Sequence, residues 1–344
     1  MMINQELNNQ YASIKGKVQE LIESGYLKEA SSIVVELEKV FPFDSEILSM
    51  KTAIKFLQGN IEGARSASLM SLILDPDNFE LYYNLAVILA KLGYNDFTSL
   101  ILSKAIELSS NQYLTQELHQ LLEVSERTRQ STGIFKKGRY DSFLEDLLEV
   151  IIHNHNNMIH YNFDIEYMDA VNAPVQNTQI VNYHKERTEV YQNIEGLSAL
   201  YQLFHDNSSK ETLLEVFAYR ILGNQKVKLS INNEHYWNDR ILLKSLINSS
   251  ETLTSPYHNW KLELFSLETI GFPVQIYFIA FGVHATFMVK QYEYNKDEII
   301  IKARPGDTVL DCGGCWGDTA LYFASLVGDE GKVFTFEFIP SNLK

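Results

Sequence analysis

The sequence predicts an all-α solenoid of helical repeats at the N-terminus, followed by the start of a doubly wound α/β sheet at the C-terminus. Two observations predict this fold class. Glycines recur at a constant interval in the first third of the chain, at Gly25, Gly59 and Gly93. Near the other end, a glycine-rich turn lies between two strand-like runs, each of which carries an acidic residue near its end.

The N-terminal third repeats with a strict register. Small residues follow each glycine by five positions, at Ala30, Ala64 and Thr98, and Pro42 and Pro76 keep the same interval. The glycine ends a first helix, the small residue lets a second helix pack closely, and the proline ends that second helix. This register gives three units and an amphipathic capping helix: residues 11–44, 45–78, 79–112 and 114–129.

This pattern resembles the tetratricopeptide repeat, whose period is about 34 residues. The resemblance implies a tetratricopeptide array over residues 1–130, whose concave groove binds a protein or peptide partner. A plain bundle of α-hairpins is the alternative.

The last forty residues predict a strand, a turn, a helix and a second strand. The first strand ends in Asp311, the turn contains Gly313 and Gly317, and Glu337 lies near the end of the second strand. Glycines let a ligand approach the backbone, and the N-terminus of the next helix, capped by Asp318 or Thr319, suits an anionic group. A carboxylate about 20 residues after the last glycine is placed to accept both hydroxyls of a ribose.

The glycine spacing favours one cofactor over another. Dinucleotide sites carry G-x-G-x-x-G, whereas this turn reads D-x-G-x-x-x-G, which is the pattern of S-adenosylmethionine methyltransferases. The stretches DCGGCWGDT and FEFIPSN resemble the FkbM family of methyltransferases in particular. The departures are Cys315, where many relatives carry asparagine, and Phe338, since the proline follows the glutamate two residues later than usual. A weaker resemblance reaches upstream through residues 206–210 and 217–220, so that it covers roughly residues 195–344.

The resemblance implies transfer of a methyl group from S-adenosylmethionine to a hydroxyl oxygen, with a sugar or glycan precursor as the acceptor. It implies a Rossmann-like methyltransferase sheet, of which residues 301–344 form the first strand, helix and second strand. Further strands, the catalytic base and the acceptor site are expected beyond Lys344, so that this chain is expected to be an inactive fragment. The implied cofactor-binding residues are Asp311, Gly313, Gly314, Cys315, Gly317, Asp318, Thr319 and Glu337.

Other interpretations of the same turn stay open. Glycine turns follow strands in many α/β proteins without a ligand, and a nicotinamide or flavin site is a second alternative. Cys312 and Cys315 form a C-x-x-C pair, which also fits redox chemistry or half of a zinc site, although Asp311 beside it opposes thiolate formation. At the level of the whole chain, the alternative is a non-catalytic tetratricopeptide scaffold that carries a methyltransferase remnant.

Composition excludes some partners. The net charge is −15 and no segment is basic, which argues against nucleic acid or an anionic membrane as the main partner. Only two cysteines are present and the first residues lack a secretory pattern, so a cytoplasmic location is expected. The apolar run 272–289 contains Pro273, Gly282 and His284, which favours two buried strands that turn near Gly282 over a membrane span.

The middle of the chain carries fewer signals. Residues 131–210 are expected to form a helical or irregular linker, and residues 211–300 a helix and strands that precede the catalytic sheet. His153, His155 and His160 lie close together in sequence, but no carboxylate or cysteine completes a ligand set. No metal site is therefore expected.

Overall fold

The computed structural model describes residues 2–93, 96–131, 142–159, 183–255, 259–296 and 298–343. These residues form two compact units, with the boundary between residues 231 and 232. The first unit is helical, and the second combines helices with three small sheets.

The predicted repeats are present as helix pairs in the first unit. Gly25, Gly59 and Gly93 each follow the first helix of a pair and adopt positive φ, which glycine tolerates without strain. The helices of the array are α1 (Met2–Glu23), α2 (Leu27–Val40), α3 (Ser45–Leu57), α4 (Ile61–Leu74), α5 (Phe79–Leu92), α6 (Asp96–Leu108) and α7 (Gln112–Ser131).

Two further sets of residues keep the register. Ala30, Ala64 and Thr98 are all 0% exposed, which confirms that the second helices need small side chains for close packing. Asp44 and Asn78 each precede the first helix of a unit, and their side chains accept hydrogen bonds from two backbone N–H groups of that helix. The caps define where each unit begins, because they satisfy amides that would otherwise lack a partner.

Among the described residues, the first unit continues with α8 (Ser142–Asn154), α9 (Tyr183–Gln192), α10 (Ile194–Leu203) and α11 (Asn207–Leu222). Their apolar residues, among them Phe143, Leu147 and Ala218, share one buried cluster with Leu72 and Leu85 of the repeats. The two compact units of the structure divide at residue 231. The finer bounds expected from the sequence, at residues 130, 210 and 300, stay predictions.

A buried ion pair joins the repeats to α8. The Arg65 guanidinium on α4 donates to the Glu145 carboxylate on α8, and both side chains are less than a tenth exposed. Burying two charges is costly, so this contact persists only because each charge compensates the other. A second polar contact connects the same part of the array to α8, since the buried Lys104 ammonium on α6 lies 2.8 Å from His155 Nδ1 just after α8.

The second unit begins with α12 (Glu234–Ser245) and an antiparallel sheet in the order β1 (Ile247–Thr254), β2 (Lys261–Ser266) and β3 (Gln275–Phe278). A helical turn, α13 (Ala280–Val283), a π-helical turn (His284–Met288) and a hairpin of β4 (Tyr294–Lys296) and β5 (Ile299–Ile301) follow. Strand β6 (Thr308–Cys312), helix α14 (Asp318–Val327) and strand β7 (Lys332–Phe336) come next, and a 3-10 turn at Pro340–Leu343 follows β7.

The expectation of two strands within residues 272–289 is half wrong. The first strand is β3, but the chain then forms α13 and the π-helical turn in place of a second strand. The Phe278 ring packs on Gly282 so closely that a Cβ there would lie 2.0 Å from the ring, and Val283 and Phe287 reach the core at helical spacing. Short apolar runs do not distinguish strand from helix. Over the described ranges, no helix has both the length and the apolar character to cross a membrane.

The predicted strand, helix and second strand at the C-terminus are present. Strands β6 and β7 pair in parallel, with Asp311 opposite Thr335, and α14 connects them. One face of the pair, which carries Leu310, Phe334 and Phe336, is largely exposed. A wider doubly wound sheet is not seen, because the described residues contribute only these two strands to it.

We expect Glu145→Ala to destabilise the first unit by about 3–5 kcal/mol, because it removes the buried carboxylate that compensates the Arg65 charge. Chemical denaturation followed by helical circular dichroism measures the loss. Glu149→Ala, on the exposed side of the same helix, is the matched control and should be close to neutral. Equal losses in the two variants would contradict the role of the ion pair.

Candidate functional site

The glycine turn between β6 and α14 is attached to the end of β7. The backbone N–H groups of Gly313 and Gly314 both donate to the Phe336 carbonyl, at 2.8 and 3.1 Å. Gly317 N–H donates to the Gly314 carbonyl at 2.6 Å, which closes the turn directly before the helix. The turn and the end of β7 therefore form one edge, and the residue after Phe336, Glu337, lies at that edge.

The three glycines are required for different reasons. A Cβ on Gly314 would lie 2.0 Å from the Thr335 methyl group, so this position has no room for a side chain. Gly313 and Gly317 adopt φ values of 113° and 86°, which other residues rarely tolerate, and a Cβ on either would face open space. The backbone at these two glycines is therefore accessible, as the sequence analysis expected.

Asp311 lies at the end of β6 and is 8% exposed. Its Oδ2 atom accepts a hydrogen bond from the Thr319 hydroxyl on α14, at 2.8 Å. This bond links the strand to the first turn of the helix across the glycine turn.

Glu337 folds back over the glycine turn. Its two carboxylate oxygens accept hydrogen bonds from Ile339 N–H at 2.6 Å and from Cys315 N–H at 2.7 Å. These backbone donors, that of Ile339 first, hold the pKa of Glu337 below its ordinary value. The acid after β7 and the turn after β6 are thus in direct contact.

The two cysteines of the turn lie in different surroundings. Cys315 has φ of 41°, an uncommon value for a residue with a side chain. Burial, followed by the charges of Asp318 and Glu337, raises the pKa of its thiol. Cys312 is an exposed free thiol. A thiolate is the reactive form of cysteine, so the raised pKa disfavours redox chemistry at Cys315.

Asp318 is the first residue of α14, and its carboxylate is directed away from solvent. It is 7% exposed, and its Oδ2 atom accepts a hydrogen bond from the Thr286 hydroxyl at 3.0 Å. Burial raises the pKa of Asp318. The expected capping of the helix by Asp318 or Thr319 is wrong, because the cap position is Gly317.

Trp316, within the turn, packs on the antiparallel sheet of the same unit. Its ring lies 5.7 Å from that of Trp260 and 5.5 Å from that of Phe278, both at angles typical of edge-to-face contacts. The sequence analysis did not identify Thr286, Trp260 or Phe278, which come much earlier in the chain than the turn residues that they contact. No local spacing pattern connects residues so far apart.

Of the three histidines that the sequence analysis considered as metal ligands, two lie among the described residues. His153 Nδ1 contacts the Glu149 carbonyl, and His155 lies between Lys104 and Asp77. His160 lies outside the described residues. In the part of the chain that the structure covers, no three His, Cys, Asp or Glu side chains are grouped closely enough to hold a metal ion.

Comparisons with known proteins find one relationship. The chain is 28% identical to human tetratricopeptide repeat protein 7A over 89 residues, which is 26% of this chain and 10% of that protein. The chain thus matches about a tenth of the length of that protein. No family model matches the sequence, and no solved structure matches it. This similarity supports the tetratricopeptide resemblance of the chain, whereas the comparisons find no methyltransferase.

The structure therefore places the predicted site residues around one turn but does not test their function. Asp311, the glycines, Thr319 and Glu337 surround the junction of β6, α14 and β7. Asp318 belongs to the same turn, although its carboxylate is bonded to Thr286. Their assignment to a cofactor stays a prediction.

We expect Gly314→Ala to destabilise the second unit by about 1–3 kcal/mol, as other overpacked sites do. The added methyl would collide with the Thr335 methyl, so the further change Thr335→Ser should restore most of the loss. Thermal unfolding followed by tryptophan fluorescence measures both effects. Gly196→Ala, on α10 with open space around it, is the control. Failure of Thr335→Ser to restore stability would show that this contact is not the reason for the glycine.

The bond from Cys315 N–H to Glu337 should respond to acid. The pKa of Glu337 lies below its ordinary value of 4.5, so its contribution to stability is fully present above pH 4.5 and is lost as the pH falls through the lower, folded value. The Cys315 amide proton shift, followed by nuclear magnetic resonance, should therefore change only below pH 4.5. Glu337→Gln should remove the change. A transition at or above the ordinary value would argue against the bond.

Proposed function

We propose that the second unit carries the cofactor-binding part of an S-adenosylmethionine-dependent O-methyltransferase that resembles the FkbM family. The proposed acceptor is a hydroxyl of a sugar or glycan precursor, and the proposed partner of the repeats is a protein or peptide. We place the reaction in a reducing compartment such as the cytoplasm, because both cysteines of the chain are free thiols.

The observation that carries the proposal is the meeting of two acids at one glycine turn. Glu337 contacts Cys315 N–H at 2.7 Å, and Asp311 lies at the end of the neighbouring parallel strand. Ligands of open α/β sheets bind beyond the carboxyl ends of the strands, which is where both acids lie. The accessible backbone at Gly313 and Gly317 leaves room for a ligand at this edge.

Each residue then has a physical role in binding. Glu337 accepts hydrogen bonds from the ribose hydroxyls, which requires its carboxylate to release or share the backbone amides that it now contacts. Asp311 attracts the cationic part of the amino acid moiety, while its bond to Thr319 fixes its orientation. The N-terminus of α14 would add its positive dipole end beside the carboxylate of the cofactor. The cofactor supplies an activated methyl group, and the chain aligns it with the acceptor oxygen.

The rest of the pocket requires more of the sheet. Parallel sheets bury both faces, yet Leu310 is 65% exposed and Phe336 is 58% exposed on one face of the pair. Because this face of the strand pair is exposed, we propose that further strands and helices cover it. We place the catalytic base and the acceptor site on those elements, since no described residue is identified as the base.

We expect Glu337→Ala to weaken the binding of S-adenosylmethionine about tenfold or more, because both ribose hydroxyls lose a charged acceptor. Calorimetric titration of the natural full-length protein measures the affinity. Glu330→Ala, an exposed acid in the loop before β7, is the control and should bind like the wild type. Equal affinity of the Glu337 variant and the wild type would remove the assignment.

A second candidate is a non-catalytic scaffold, in which the repeats bind a protein partner and the α/β part is a remnant. The similarity to a tetratricopeptide repeat protein favours the partner-binding half of this proposal. The titration with S-adenosylmethionine distinguishes the two candidate functions, because the wild-type protein would not bind this cofactor if the α/β part were a remnant.

A further inference from the structure

The π-helical turn at His284–Met288 lies between two helices of the second unit. Its defining bond runs from Val289 N–H to the His284 carbonyl, at 2.8 Å. Such turns accommodate one extra residue, which is unfavourable in an isolated helix, and they recur at functional sites. The contacts of this turn show which elements of the second unit it connects.

On one side, the turn is fixed to α12. The His284 side chain is buried, and its ring meets the Tyr236 ring edge-on at 5.2 Å. Its Nε2 atom lies 3.6 Å from an Asp239 carboxylate oxygen. Phe287 of the same turn packs on Phe272, with 5.0 Å between the ring centroids. The π-helical turn therefore has a fixed position relative to the core of the unit.

On the other side, the turn reaches the glycine-turn helix. The Thr286 hydroxyl donates to the Asp318 carboxylate at 3.0 Å, and the two residues are 1% and 7% exposed. A buried carboxylate needs hydrogen-bond donors, and the Thr286 hydroxyl of the π-helical turn donates to the Asp318 carboxylate of α14. Because Asp318 directly follows Gly317, the bond fixes the position at which α14 begins.

We propose that Thr286 is a positioning residue for the cofactor site, and that Asp318 anchors α14 to the π-helical turn instead of binding the ligand. The link to the cofactor rests on the proposed function, whereas the anchoring itself does not. Without the anchor, the first turn of α14 opens more often, and its N–H groups are no longer held toward the edge where Asp311 and Glu337 lie.

The test uses hydrogen exchange of the 344-residue chain and needs no ligand. Leu321 N–H, which bonds to the Gly317 carbonyl, reports whether the first turn of α14 is closed. Thr286→Val keeps the shape of the side chain and removes the hydroxyl, so Leu321 N–H should exchange about tenfold faster. Thr286→Ser restores the donor, and Asp318→Asn keeps an acceptor, so both should stay near the wild-type rate.

Thr308→Val, at an exposed position of β6, is the matched control for the loss of a threonine hydroxyl. Near-ultraviolet circular dichroism shows whether each variant is folded. If the valine variant does not fold, the exchange rate of Leu321 N–H in the serine variant tests the anchoring. Unchanged exchange in Thr286→Val, or fast exchange in Thr286→Ser, would overturn the anchoring.

Binding of S-adenosylmethionine to the natural full-length protein then separates the two proposals. If the cofactor binds, Thr286→Val should weaken it about tenfold, and Asp318→Asn should leave it within about threefold. A larger loss in Asp318→Asn, with normal exchange, would make Asp318 a ligand residue and overturn the reassignment. If the wild type binds no cofactor, the proposed function fails, and the exchange rates alone decide the anchoring.

Discussion

The contact between Gly314 and Thr335 is the constraint on which the second unit's candidate site depends. It brings the turn after β6 against the side of β7, so that the Phe336 carbonyl receives two N–H donors from the turn. A Cβ at position 314 would collide with the Thr335 methyl group at the point where the two strands carry their acids. Once the turn is in place, Glu337 is close enough to contact Cys315 N–H, and Asp311 is close enough to accept from Thr319. The remaining bonds of the site follow from this one approach.

The first unit depends on a comparable constraint that recurs in each repeat. The fully buried Ala30, Ala64 and Thr98 set the distance between the paired helices, and the caps at Asp44 and Asn78 set where each pair begins. Helices α8 to α11 then extend the same core, so the buried apolar cluster of the repeats continues beyond the predicted capping helix. The buried pair of Arg65 and Glu145 shows that this extension is specific, because a charge enters the core only opposite a matching charge.

Sequence reasoning succeeded where the signal was local or periodic. The repeat glycines, the strand, helix and strand at the C-terminus, and the accessible Gly313 and Gly317 all follow from short spacings. It failed at Gly282, where a helical turn replaced an expected strand, because a short apolar run fits both structures. It also missed Thr286, whose partner Asp318 is distant in sequence and whose role depends on an irregular π-helical turn. The core position of α8 likewise depends on tertiary contacts that no spacing in the sequence shows.

The charge of the turn gives a last argument about its ligand. Asp311, Asp318 and Glu337 surround one turn, and their hydrogen-bond partners are hydroxyls and backbone amides. Over the described ranges, none of these three carboxylates pairs with a lysine or arginine. Neutral donors orient a carboxylate without bringing an opposite charge to it. A ligand that carries positive charge and ribose hydroxyls fits this site better than one that carries phosphates. S-adenosylmethionine has a cationic sulfonium and a cationic amine, whereas a dinucleotide has a pyrophosphate, so the acids of the turn agree with the cofactor that we propose from the glycine spacing.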